Sequence, residues 1–188
     1  MKITTLSFAM LLATALFLVT RPAVAQDKGN TAAAELTSES RAALAQLGAN
    51  APLAKILEPK AYAILVFPKI TKAGLGIGAQ YGEGALLKAG KAAAYYKTTG
   101  GSFGLQAGGQ QYGYAMFFLN EKALAQLDSA KGFEVGVGPS VVLVDEGMAK
   151  TTTTTTLKDD IYAFVFGQKG VMAGLGIQGN KISKIEPK

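Results

Sequence analysis

Over much of the chain, apolar residues alternate with glycine. Leu75, Ile77, Ala79 and Tyr81 alternate with Gly74, Gly76, Gly78 and Gln80, and Phe103, Leu105 and Ala107 with Gly104, Gln106 and Gly108. Val135 and Val137 alternate with Gly136 and Gly138, and Leu175 and Ile177 with Gly174 and Gly176. A strand points successive side chains to opposite faces, so each stretch predicts a strand with one apolar face and one nearly bare face. Glycine weakens a strand unless something needs the space. Gly74, Gly76, Gly78, Gly136, Gly138, Gly174 and Gly176 are therefore expected to be structural glycines. They would sit in strongly bent or barrel-like strands, or beneath a helix or second sheet packed against the bare faces.

Other segments have simpler patterns. Tyr62 to Phe67 is a compact apolar run that predicts a buried strand closed by Pro68. Ala92 to Tyr96, Tyr112 to Leu119, Val141 to Val144 and Ile161 to Phe166 are further strand candidates. Ser38 to Gly48 predicts a short helix, with Ser38 as N-cap, Leu44 and Leu47 on one face and Gly48 as the stop. Pro52 suits the first turn of a second helix, which must end before Pro59. A third fits Glu121 to Ala130, capped by Asn120 and stopped by Gly132. Six consecutive threonines, Thr151 to Thr156, predict a strand or hairpin arm, with a glycosylated or ligand-facing hydroxyl row as the alternative. The expected fold is α+β: an antiparallel, barrel-like, Gly-rich β-sheet with short N-terminal helices and one inserted helix.

The N-terminal residues have a different character. Lys2 precedes an apolar stretch from Phe8 to Val19, Arg21 and Pro22 break it, and Ala23-Val24-Ala25 has the small-x-small pattern of a cleavage site. Twelve residues make about 18 Å of helix, too short for a bilayer core of about 30 Å. Residues 1–25 are expected to be a cleaved signal peptide, 26–35 a flexible tail and 36–188 a single domain. The protein would then be periplasmic or secreted. No cysteine follows the apolar run, which excludes a lipoprotein anchor.

Composition narrows the chemistry. The chain has no cysteine and no histidine. The fold must hold by packing alone, and the usual general base and every Ser-His or Cys-His arrangement are missing. No cofactor or metal is implied, and a non-enzymatic protein is expected. The acidic pairs Asp145-Glu146 and Asp159-Asp160 are the only conceivable acid–base groups, and turn or cap roles suit them better. The formal charge is +6, and removing Lys2 and Arg21 leaves +4. Scattered lysines serve solubility or draw the protein to anionic lipid. Nucleic acid is not expected as a partner, because Arg41 is the only arginine after residue 25. Gly174 to Gly179 spells the dinucleotide fingerprint, but only nine residues follow, too few for the helix and second strand it needs. Nucleotide binding is rejected for that reason.

Several blocks together resemble one family. Ala63-Ile64-Leu65-Val66-Phe67-Pro68-Lys69-Ile70-Thr71-Lys72-Ala73-Gly74 is similar to the opening block of the SYLF domain. Gln80-Tyr81-Gly82-Glu83-Gly84, Gly104 to Gly108 and Gly136 to Pro139 are similar to its central glycine blocks. Asp160 to Phe164, Lys169 to Gly174 and Gln178-Gly179 are similar to its closing block. The resemblance runs from about Leu36 to Ile185 and is closer to the exported bacterial branch than to the actin-binding SYLF domains of yeast and animals. It implies binding to anionic lipid or a membrane surface, phosphoinositide-like headgroups included. Lys69, Lys72 and Lys169 fall inside matching blocks and are the implied headgroup contacts. The alternative is a periplasmic structural or protein-interaction module with an envelope partner and incidental lipid affinity.

Overall fold

The computed structural model describes residues 24–127, 133–134, 141–144 and 159–187, with 24–28, 102–106, 133–134, 141–144 and 170–179 described by their backbone. Its centre is three very long antiparallel strands, β1 (Ala63–Lys88), β2 (Lys91–Phe118) and β5 (Ile161–Ile185). Most of the stretches expected as separate short strands are parts of these three. The short β3 (Phe133–Glu134) pairs antiparallel with the end of β5, and β4 (Val141–Val144) pairs parallel with its start. The sheet runs β1-β2-β5-β3, with β4 also on β5. Among the described residues it is not closed into a barrel, and its one parallel pair departs from the all-antiparallel expectation.

Each long strand folds back on itself near its middle. In β1 the fold centres on Gly76, which has φ +72°. A Cβ placed on Gly74 would collide with the Gly78 Cα, so the chain reverses within five residues. Further along, a Cβ on Gly84 would collide with the Val66 carbonyl oxygen, and one on Gly82 would lie 2.8 Å from the Lys69 carbonyl oxygen. The second half of β1 is thus pressed against its first half. The glycines that permit this close approach are Gly82 and Gly84. Gly76 was expected to be crowded, yet nothing lies within 4 Å of its Cβ position. It is glycine for its backbone angle, a left-handed conformation that costs other residues roughly 1–2 kcal/mol. Of the other expected structural glycines, Gly174 and Gly176 pair opposite Gln106 and Gly104 in the β2–β5 ladder. Gly136 and Gly138 lie outside the described residues, as do the threonine run and Asp145-Glu146.

The first halves of β1 and β5 and the second half of β2 are buried on both faces, which explains their unbroken apolar runs. On one face Ile64, Val66, Ala115, Phe117, Tyr162, Phe164 and Phe166 meet the N-terminal helices. Phe117 and Phe164 pack edge to face with centroids 5.1 Å apart. On the other face Leu65, Phe67, Ile70, Met116, Phe118 and Ala163 meet Leu86, Tyr96 and Ile182 from the folded-over halves of the same strands. The strand does not close at Pro68. It continues through a bulge, because a β-bulge accommodates the missing proline N–H.

The helices cover one side. α1 (Val24–Asn50) runs through both the residues expected as a tail and the expected stop at Gly48. Its buried positions, Leu36, Ser40, Ala43, Leu44 and Leu47, follow helical spacing. Ser40 is fully buried, and its hydroxyl donates to the Val66 carbonyl and accepts from the Ala85 N–H, each at 3.3 Å. One side chain thereby satisfies backbone groups on both halves of β1. α2 (Pro52–Leu57) starts at its proline and passes into a single 3₁₀ turn, Glu58–Lys60. α3 (Glu121–Ala125) is capped as expected, with the Asn120 side chain accepting from the Ala123 N–H at 2.8 Å. It ends at Ala125, short of the expected Ala130, and passes into a turn at Gln126 and Leu127; Gly132 lies outside the described residues.

Candidate functional site

Two of the three nominated lysines meet at one cleft. In β1, Pro68 and Lys69 are placed where β2 offers only Gly113, since Phe67 pairs with Tyr114 and Ile70 with Tyr112. In β5, Gly167 and Gln168 are placed where β2 offers only Tyr112, since Phe166 pairs with Gly113 and Lys169 with Gln111. Both outer strands therefore bulge at the same level of the central strand, which bends a sheet locally and re-aims its side chains. Gly167 takes the left-handed angle that the β5 bulge needs, φ +60°. Gly113 carries no side chain, and a Cβ there would lie 2.5 Å from the Phe166 ring, so the ring lies close over the central strand.

The result is a cleft of about 160 Å³ lined by Gln46 of α1, Pro68, Lys69, Gln111, Tyr112, Gly113, Phe166, Gly167 and Lys169. Phe166 and Pro68 give it apolar surface, and Gln46 and Gln111 bring amide groups. Lys69 and Lys169 are exposed and bring two ammonium groups from strands that do not pair with each other. No carboxylate is among these lining residues. Such a cleft suits an anion carried on a small polar group. Lys72 is elsewhere. It alternates with exposed Thr71 onto the inner face shared with Ile70, is only 7% exposed, and does not line the cleft.

Behind the cleft, the inner face is polar. The Tyr112 hydroxyl donates to Gln80 at 3.0 Å, and the Gln80 amide donates to Asn180 at 2.7 Å. This chain ties the second half of β2 to the second halves of β1 and β5. Burial raises the Tyr112 phenol above its ordinary value, with the Gln80 hydrogen bond opposing. The Tyr114 hydroxyl is buried without a hydrogen-bond partner, and burial followed by the neighbouring Tyr112 pushes it above the ordinary tyrosine range. Both phenols are neutral near pH 7.

The described acidic pair has a structural place. Asp160 accepts from the Asn120 side chain at 2.7 Å, and its carbonyl accepts from the Leu119 N–H at 2.9 Å, fastening the start of β5 to the α3 cap. Among the described residues no group of acidic side chains could hold a metal ion. The run Gly174 to Gly179 that spells the dinucleotide fingerprint lies inside β5, with no helix beginning in it.

Residues 99–186 match the family model Ysc84, described as Las17-binding protein actin regulator. This match agrees with the SYLF resemblance of the sequence blocks and covers residues 99–186. The matched residues hold Gln111, Tyr112, Gly113, Phe166, Gly167 and Lys169 of the cleft. Lys69 lies before them, on a strand that pairs with β2 along its whole length. No curated protein matches the chain. Sequence reasoning reached Lys69 and Lys169 through block resemblance. It missed Gly113 and Gly167, whose roles depend on the paired bulges and stay invisible until the register between strands is known.

Proposed function

We propose that this SYLF protein is a non-catalytic lipid-binding module of a bacterial cell envelope, exported and cleaved near Ala25. It takes anionic headgroups, phosphoinositide-like ones among them, at the cleft between Lys69 and Lys169. The observation that carries this reading is the meeting of those two lysines on one cleft without a carboxylate. Near an anionic surface each basic residue contributes about 1 kcal/mol, which falls away as salt shortens the Debye length from about 10 Å at 0.1 M to about 3 Å at 1 M. The absence of histidine and cysteine from the sequence favours binding over catalysis.

Flotation of residues 26–188 with vesicles tests this. Binding is expected to phosphatidylglycerol-containing vesicles and not to pure phosphatidylcholine, and it should be released toward 1 M salt. Lys69→Gln with Lys169→Gln should weaken it by roughly tenfold, from about 0.7 kcal/mol or more per charge, with an unchanged melting temperature. Wild-type indifference to the anionic lipid would reject the reading. A second reading, a module that binds an envelope protein, is favoured by the family description, which names a protein partner and actin.

A further inference from the structure

We propose that the folded-over end of the three long strands is a membrane-inserting apex, with Leu75 and Ile77 entering the acyl region of an anionic bilayer. The inference rests on the lipid-surface reading and adds the element that penetrates. Four large hydrophobic residues are exposed among the described residues, Tyr62, Leu75, Ile77 and Tyr81, and three of them lie between 75 and 81. Leu75 is 83% exposed and Ile77 is 66% exposed, on either side of Gly76. Their position is built. Gly76 turns the chain with a positive φ, and the close approach of Gly74 to Gly78 closes the turn. Apolar side chains presented on a tight turn lose little conformational freedom on insertion.

Charge is laid out around this apex in a pattern that fits a bilayer. Residues 73–82, 98–120 and 170–180 contain no charged side chain. The ladders bring the apical parts of these stretches together: Leu75 pairs with Ala107 and Ala107 with Ala173, while Ile77 pairs with Phe103 and Phe103 with Ile177. The first charges below the apex are mostly lysine: Lys72 and Lys169 on one side of the fold, Lys97 and Lys181 on the other, with Glu83 and, past the end of β2, Glu121 the exceptions. Lys169 and Lys181 are exposed, and Lys69 lies just below. Gly74, where the turn begins, is two residues past Lys72, or about 7 Å along an extended strand, and the Leu75–Ile77 turn extends beyond it. That reach matches a headgroup layer of roughly 5–8 Å, half the difference between total and hydrocarbon thickness. With lysines at the phosphates, the Leu75–Ile77 turn reaches hydrocarbon. Tyr81 is half-exposed and donates its hydroxyl to Glu83, which places an amphipathic ring at the interfacial level where tyrosine is enriched.

The chain has no tryptophan, so a single Leu75→Trp is an unambiguous depth reporter. Vesicles of phosphatidylglycerol and phosphatidylcholine carrying nitroxide at the 5 or 12 position of the acyl chain should blue-shift and quench it. Tyr62→Trp, just before the opposite end of β1, should be unquenched. Leu75→Ser with Ile77→Ser should lower the vesicle partition coefficient by about tenfold or more, the loss expected for withdrawing two apolar side chains from an apolar medium, without lowering the melting temperature. Vesicle binding that survives the double serine change, with the Leu75→Trp reporter unquenched, overturns the insertion and leaves the headgroup cleft standing. Failure of the wild type to bind any vesicle overturns both. A concentration-dependent dimer in sedimentation that the double serine change dissolves, without vesicle binding, overturns the apex in favour of a self-docking face.

Discussion

The two ends of the three long strands obey opposite rules, although the same chain segments build both. At the base, β1, β2 and β5 are sandwiched between helices and the folded-over halves of the same strands, and Leu65, Val66, Phe67, Phe117 and Phe118 are fully buried. At the apex the same strands carry glycine, glutamine and exposed Leu75 and Ile77. The base uses its apolar residues for folding. The apex withholds them, since a residue that is 83% exposed removes little surface from water and contributes little to stability. Apolar alternation in sequence is therefore no guide to burial when a strand turns back on itself.

The sharpest way to break this contrast is truncation at each end. Phe117→Ala should cost about 3–5 kcal/mol in denaturant unfolding, because it opens a cavity in a packed core. Leu75→Ala should change stability by no more than about 0.5 kcal/mol. Equal costs would mean the apex is packed and the comparison fails.

Glycine substitution separates two kinds of glycine next. Gly84→Ala forces a methyl group onto the Val66 carbonyl, backbone that cannot swing aside. It should cost about 3 kcal/mol, the upper range for overpacking. Gly76→Ala meets open space and is strained by its angle alone, so about 1 kcal/mol is expected. Urea melts of both variants decide whether close approach or backbone conformation matters more at each site.

The smallest effect concerns the polar interior. Tyr114→Phe removes a buried hydroxyl that has no partner, so it should stabilise by about 1 kcal/mol at pH 7. The phenols of Tyr114, Tyr112 and Tyr81 are all raised on folding. A raised value favours the neutral form, so their contribution is complete below the unfolded value of about 10 and lost as pH rises past it. Stability should be level through neutral pH and fall in alkali. Tyr114→Phe should flatten that fall.

Local sequence chemistry foretold the elements that depend on a few neighbouring residues. Asn120 caps α3, Pro52 opens α2, and the apolar runs at 62–67, 112–119 and 161–166 lie in strands except for their end residues Tyr62 and Leu119. Extents were less legible. Pro68 looked like a stop and is a bulge, and Gly48 looked like a helix end and lies inside α1. In both cases tertiary contacts outweigh a local preference, which for a mid-helix glycine is about 1 kcal/mol. On either side of Gly48, Leu47 and Ala51 belong to the buried core.

The sequence by itself determined that glycine and alternation dominate the middle of the chain, that no imidazole or thiol chemistry is available, and that lysine supplies most of the positive charge. Tertiary structure alone decided which glycines are crowded, Gly84 and not Gly76, and which lysines meet, Lys69 with Lys169 and not Lys72. The reason is physical. Periodicity tells which side chains share a face of one strand, but what stands opposite that face depends on strand register and on where each strand folds over. Register here joins side chains a hundred residues apart, such as Gln80 and Asn180 across the inner face, and no local pattern encodes that distance.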